Sequence, residues 1–211
     1  MKLCQAENLP AEILSKFAGK DGRLTVAIAG PPGAGKSTIS EYLRDAINQG
    51  EAGPAVIVPM DGFHLDNAIL DERGLRSRKG SPPTFDCAGF AALLERLKNT
   101  SEDVVIPVFD RKLDLARAGA SVVAADHRIL LVEGNYLLLD CEPWTRLAPF
   151  FDMTIFLNVS FLELERRLIQ RWIDHGHTPD AARKRALCND IPNAELVISS
   201  SRKANYIVTT I

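Results

Sequence analysis

The sequence predicts a doubly wound α/β fold, in which a mainly parallel sheet of five core strands is covered by helices on both faces. Three observations lead there. Short apolar runs alternate with amphipathic stretches along the chain, as strands alternate with crossover helices. The run Leu24–Ala29 (LTVAIA) is continuously apolar and partly β-branched, as expected of a strand buried on both faces. The 211 residues contain no internal repeat and no low-complexity segment, so residues 1–211 read as one domain.

Each element follows in order. Residues 10–17 form a short first helix, before the strand Leu24–Ala29. A glycine-rich turn leads into a helix over Lys36–Asn48, and Ala55–Pro59 is the second strand, ending at Met60-Asp61-Gly62. A polar excursion over 66–86 is rich in Arg, Lys, Gly and Pro. Apolar residues at 3.6-residue spacing then place a helix over 88–98. Residues 104–109 and 121–125 read as a peripheral strand pair within a segment spanning about 104–125, joined by a polar connection. The third and fourth core strands are 129–132 and 153–159, the latter followed by a charged helix over Phe161–Asp174. His175-Gly176-His177 breaks that helix, and Thr178-Pro179 offers an N-cap and first position for another. Residues 206–211 form the last strand.

Composition narrows the function classes. A hydrophobic share of 46% and a charged share of 25% are those of an ordinary globular protein. A net charge of -2, with signs mixed along the chain, argues against a nucleic-acid partner, which needs a basic face. No run approaches the ~18 apolar residues of a membrane span, and no membrane partner is expected. Cysteines 4, 87, 141 and 188 are far apart and without metal-ligand spacing, which fits reduced thiols and a cytoplasmic location. No coiled coil or apolar interface stripe indicates a homo-oligomer.

The strongest chemical signal is Gly30-Pro31-Pro32-Gly33-Ala34-Gly35-Lys36-Ser37, followed by Thr38, an unbroken match to the phosphate-binding pattern GxxxxGK[ST] between strand and helix. Its glycines let successive backbone N–H groups curl around phosphates, and the helix start adds its positive end. Lys36 is expected on the β- and γ-phosphates of ATP, and the Ser37 hydroxyl on Mg²⁺. Glu133 follows four apolar residues at a strand end, the Walker-B position that holds Mg²⁺ or its waters. Asp61 also ends a core strand, where such sheets place their ligands. It could accept a proton from an attacking hydroxyl, help hold Mg²⁺, or simply form an Asp-Gly turn with Gly62.

The stretch 61–86, DGFHLDNAILDERGLRSRKGSPPTFD, resembles bacterial pantothenate kinases in its DGF…N, ERGL and KGxPxS[FY]D elements. From Leu24 onward the chain resembles the uridine kinase, phosphoribulokinase and pantothenate kinase family of P-loop kinases. VEGNYLLLDCEPW (132–144) and NDIPNAELV (189–197) resemble in particular a branch named as candidate fructose transport system kinases. The resemblance implies the P-loop nucleoside triphosphate hydrolase/kinase fold, Asp61 as catalytic base, Ser37 and Glu133 around Mg²⁺, and Asp86 at an acceptor pocket. It also implies acceptor contacts from Asp110, Arg111 and Arg117. Arg166, Arg167 and Arg171 would be phosphate-binding residues on the helix leading into a lid over about 166–182.

Departures bear on the acceptor. Asp114 stands where uridine kinases carry a histidine, and His175 and His177 replace arginines around the lid glycine. The segment 107–117, PVFDRKLDLAR, differs from that of pantothenate kinases. The expectation is therefore an ATP- and Mg²⁺-dependent kinase acting on a hydroxyl of a small metabolite, such as the sugar fructose. Pantothenate and nucleoside kinases are the alternatives within the family. A nucleotide-dependent switch without an acceptor is the alternative from another class. The basic residues Arg73, Arg76, Arg78 and Lys79 read equally as a solvated loop or as a grip on an anion. Trp144, Trp172 and Phe63 read as packing residues.

Overall fold

The structure is a computed structural model that describes residues 2–49 and 53–209. Its centre is a six-stranded parallel sheet. In chain order the elements are β1 (Lys2–Leu3), α1 (Leu9–Ala18), β2 (Leu24–Ala29), α2 (Lys36–Asn48), β3 (Ala55–Pro59), α3 (Asn67–Glu72), α4 (Cys87–Asn99), β4 (Val104–Asp110), β5 (Leu115–Val123), β6 (Ile129–Gly134), β7 (Met153–Asn158), α5 (Phe161–Asp174), α6 (Pro179–Arg185), α7 (Ile191–Ser200) and β8 (Tyr206–Thr209). The strands run in the order β1-β8-β7-β2-β6-β3 across the sheet, and β4 and β5 form a separate antiparallel pair.

The expected five strands are all present, and the count is corrected to six by β1, which pairs Lys2 with Tyr206 and Leu3 with Ile207. Two residues are too few to carry any hydrophobic period, which is why β1 escapes a reading by pattern. Residues 210–211 of the expected last strand lie outside the described residues. The strand pair is longer than its polar composition suggests: β5 begins at Leu115, and the ladder shifts register between Ile106 and Val108. Pro107 sits at that shift, where its missing N–H cannot serve a regular ladder. The polar excursion contains a short helix, α3, whose start is capped by Asp66 accepting from the Ala68 N–H at 2.8 Å.

Alternation within the central strands divides the core. Ala27, Ala29, Leu130 and Val132 face one cluster with Phe90, Leu94 and Leu97 of α4 and with Trp144. Leu24, Val26, Ile28, Ile129 and Leu131 face the other, with Leu9 and Ile13 of α1, Leu43 and Ile47 of α2, and Leu164 and Leu168 of α5. Continuous apolar runs are what a strand covered on both faces requires, so the pattern in the sequence and the two-sided burial have one cause.

Arg23, immediately before β2, is only 7% exposed yet charged. Its guanidinium donates to the carbonyls of His127 (2.9 Å), Leu97 (3.0 Å) and Ala124 (2.8 Å), tying the bottom of the sheet to α4 and to the loop before β6. Arg23→Ala leaves those carbonyls without their donor. It is expected to cost about 2–4 kcal/mol, read as a lower urea midpoint with an unchanged slope.

Candidate active site

The glycine-rich turn between β2 and α2 adopts a conformation its sequence was suited to. Gly33 and Gly35 have φ of 81° and 87°, in the left-handed region that only glycine enters freely. A side chain on Gly33 would also meet Leu168 at 3.2 Å, so the loop is packed directly on α5. α2 starts at Lys36, whose side chain is 8% exposed and donates to the Pro31 carbonyl at 2.9 Å. Burial pushes the Lys36 ammonium down to about 8, against the pull of Glu133 and Asp61. A buried ammonium beside free helix N–H groups is a site prepared for anionic oxygen.

Two carboxylates face that loop from neighbouring strands. β6 lies between β2 and β3, with Glu133 level with Ile28 on one side and Pro59 on the other. Glu133 is 9% exposed, and the Ser37 hydroxyl donates to its Oε1 at 3.5 Å. Burial, reinforced by the charge of Asp61, pushes its carboxyl up to about 7, against the effect of Lys36. Asp61 lies in the turn Met60–Phe63 just after β3. A Cβ on Gly62 would fall onto the Pro107 carbonyl, so glycine there lets the turn pack against β4. Arg111 reaches across from the β4–β5 turn and pairs with Asp61 Oδ2 at 3.2 Å.

Lys36, Ser37, Thr38, Asp61, Glu133, Arg111 and Arg171 all line one pocket of about 270 Å³, together with Pro32, Gly33, Gly35 and Asn135. The donor set suits Mg²⁺: a hydroxyl and one or two carboxylates, hard oxygens that leave room for waters and phosphate. Among the described residues no group of three or more His, Cys, Asp or Glu could hold a metal, so a closed protein cage is not what this site offers. A divalent cation would also favour the charged form of Glu133, which burial and the charge of Asp61 disfavour.

A larger cavity of about 670 Å³ adjoins it, and Pro32, Asp61, Arg111, Asn135 and Arg171 line both. Its other walls come from the loop Arg76–Gly80, the β4–β5 turn, the end of α5 and the segment after it. Three side-chain bonds to backbone carbonyls join that loop to the segment: Arg185 to Ser77 (3.3 Å), Asn189 to Lys79 (2.9 Å), and Arg78 to Cys188 (2.9 Å). Asn189 and Asp190 belong to a π-helical turn, Ala186–Asp190, between α6 and α7. Such turns re-aim side chains within a helix. Here Asp190 accepts from the Trp172 indole N–H at 2.5 Å.

Asp61, Arg111 and Arg171 are thus brought together at one pocket. Asp86, Asp110, Arg117 and Arg166 line neither cavity. Asp86 caps α4, accepting from the Gly89 N–H at 2.8 Å. Asp110 accepts from the N–H groups of Lys112 (3.0 Å) and Leu113 (3.1 Å) and pairs with Arg117 at 3.4 Å. Arg166 pairs with Glu163 on the outer face of α5 at 2.7 Å. Arg167 pairs with Glu163 at 2.6 Å and approaches the Gly33 carbonyl at 3.4 Å, so it braces the phosphate loop from outside the pocket. The larger cavity also takes in Lys79, read from sequence equally as a solvated residue or a grip on an anion, Asp114 and His177, noted there as departures, Trp172, read as packing, and Asn135 and Arg185, which the sequence did not single out. Asp114 has φ of 53°, and its carboxylate meets Lys79 at 3.0 Å and Arg76 at 3.7 Å. His64 lies with its Nδ1 2.8 Å from the Asp61 carbonyl, and burial pushes its pKa down.

The uncharacterized protein YggC of Escherichia coli K12 is 41% identical over 189 residues, covering 88% of this chain and 77% of that protein. A candidate uridine kinase, C227.14 of Schizosaccharomyces pombe, is 33% identical over 83% of this chain and 78% of its own length. Among solved structures, that of a candidate fructose transport system kinase from Silicibacter sp. TM1040 is 43% identical, covers 97% of this chain and 98% of its own, and superposes with a TM-score of 0.91. The fold is that of the P-loop kinases, and a profile match over residues 25–209 shows that the chain belongs to the phosphoribulokinase/uridine kinase family.

Proposed function

We propose that the protein is an ATP-dependent kinase that transfers the γ-phosphate to a hydroxyl group of a small metabolite. One observation carries this reading: Asp61 lies on the wall shared by the phosphate pocket and the larger cavity. A carboxylate at that boundary is where a kinase needs one, between the phosphate to be transferred and the compound that receives it. A nucleotide switch has no use for a second cavity of about 670 Å³ opening onto the phosphates.

In this reading each residue has a task. The backbone N–H groups of Gly33 to Thr38 and the Lys36 ammonium hold the ATP phosphates, and Arg171 adds charge from α5. Ser37 and Glu133 would hold Mg²⁺, with Asp61 as a further carboxylate at the same pocket. Mg²⁺, when bound, neutralises charge on the phosphates as it shifts toward the leaving ADP. The acceptor oxygen bonds to the γ-phosphorus as the bond to the ADP oxygen breaks, and Asp61 Oδ takes the hydroxyl proton. Arg111, paired with Asp61 at 3.2 Å, keeps that carboxylate oriented. The stretch of about 166–182 serves as a lid, since excluding water is what separates transfer from ATP hydrolysis. Cys4, Cys87, Cys141 and Cys188 are all free thiols, in keeping with a reducing, cytoplasmic setting.

Three substitutions test the assignment. Lys36→Ala should weaken ATP binding, measured by titration, by about 100-fold or more while the circular dichroism spectrum stays that of the parent. Glu133→Gln should lower the Mg²⁺-dependent rate more than the ATP affinity. Asp61→Asn should keep ATP affinity and lower acceptor-dependent ADP release by about 10²–10⁴-fold, the usual effect of removing a positioned base. Near-normal transfer by Asp61→Asn would remove it as the base. ATP turnover that no hydroxyl compound stimulates would favour the switch.

A further inference from the structure

Most cations at the candidate site already have a partner. Outside the phosphate pocket, the larger cavity presents Arg76, Lys79 and Arg185 against Asp114 and Asp190. The Asp114 carboxylate is bound by Lys79 at 3.0 Å and Arg76 at 3.7 Å. Lys79, with a side chain 8% exposed, also donates to Asn67 Oδ1 at 2.7 Å and lies 5.1 Å from the centre of the Phe109 ring. Asp190 is occupied by the Trp172 N–H, and burial pushes its carboxyl up, so it offers less negative charge than its type suggests.

Arg185 stands apart. Its Nη1 donates to the Ser77 carbonyl at 3.3 Å, and its guanidinium lies 5.1 Å from the centre of the Trp172 ring. Among the described residues no carboxylate pairs with it, so most of its five donors remain for a ligand. A guanidinium laid on an indole face with its fork free is built for planar or tetrahedral anionic oxygen. A neutral sugar filling this cavity would bury that charge with only Asp190 near it, a carboxylate already engaged by the Trp172 N–H, and burying a poorly paired charge is costly. An acceptor that carries its own anion removes the cost.

We infer that the acceptor is a hydroxylated anion, a small hydroxy acid or a sugar phosphate, whose carboxylate or phosphate is held by Arg185 beside Lys79 while its hydroxyl faces Asp61. This rests on the kinase reading above and narrows it: free fructose is excluded as the natural acceptor, and a charged relative of it is not. Arg185 lines the larger cavity but not the phosphate pocket, so its role is separable from ATP binding.

The test is coupled ADP release over matched compounds: glycerol against glycerate, glucose against gluconate, and ribose and fructose against their terminal phosphates. An anionic member is expected to exceed its neutral partner at least 10-fold in kcat/KM, and the acids and phosphates separate the two sources of the anion. With the best anionic compound, Arg185→Gln should raise the acceptor KM about 10–100-fold, as for loss of a charge-assisted hydrogen bond, with the ATP KM within about twofold of the parent. Arg185→Lys, which keeps the charge, should recover part of that loss. A neutral compound matching or exceeding its anionic partner overturns the inference and leaves the kinase reading standing. Equal changes in both KM values in Arg185→Gln also overturn it, because they mark a merely structural role. No stimulation by any compound, with ATP binding intact, sinks the inference and the kinase reading together.

Discussion

The parallel pairing of β6 between β2 and β3 sets Glu133 level with Ile28 and Pro59, so the three strands end at one height. The phosphate loop and both carboxylates of the candidate site depend on that register. The phosphate loop leaves the end of β2, Asp61 follows β3, and Glu133 ends β6 itself. Slipping β6 by one residue would turn Glu133 into the core between sheet and helices, because side chains alternate faces along a strand. Burial packs β6 in this register: Leu130 and Val132 fill one cluster and Ile129 and Leu131 the other.

The same register explains why the site carries buried charge. Lys36 and Glu133 are each at least nine-tenths buried, and burial pushes each toward its neutral form. A fold would not hold an ammonium at about 8 and a carboxyl at about 7 for stability alone, since apolar residues would pack there at lower cost. Partners of opposite sign favour the charged forms of groups displaced in this way, and triphosphate and Mg²⁺ have the required signs. Arg171 belongs to the same set, its guanidinium pushed down by burial and by Arg111 nearby.

Much of this was legible in the sequence, for identifiable reasons. Core strands announced themselves because burial on both faces demands apolar runs, and GPPGAGKS specifies its own backbone through glycine. α5 was readable to the residue because Ser160 caps it and the His-Gly-His break ends it. Asp61 and Glu133 could be placed because strand ends are where such sheets bind. The acceptor side was not legible in the same way. Lys79, Asp114 and Arg185 lie far apart in sequence and meet only through loop geometry, which no periodicity encodes. Asp86, which matches a family motif, uses its carboxylate to cap α4, a local role that the motif does not announce. The π-helical turn that aims Asn189 and Asp190 had no sequence signal at all.

The three bonds between the loop Arg76–Gly80 and the segment after α5 have a consequence for how such a protein can diverge. Two of them grip main-chain oxygens of the loop, those of Ser77 and Lys79, while the third is the Arg78 side chain on a main-chain oxygen of the segment. Main-chain oxygens are common to all residues. Positions 77 and 79 can therefore be rewritten without cutting the staples anchored on them. Such a joint decouples heredity from mechanics: the palate of the pocket can drift from one compound to another while the hinge beneath it keeps its stitching.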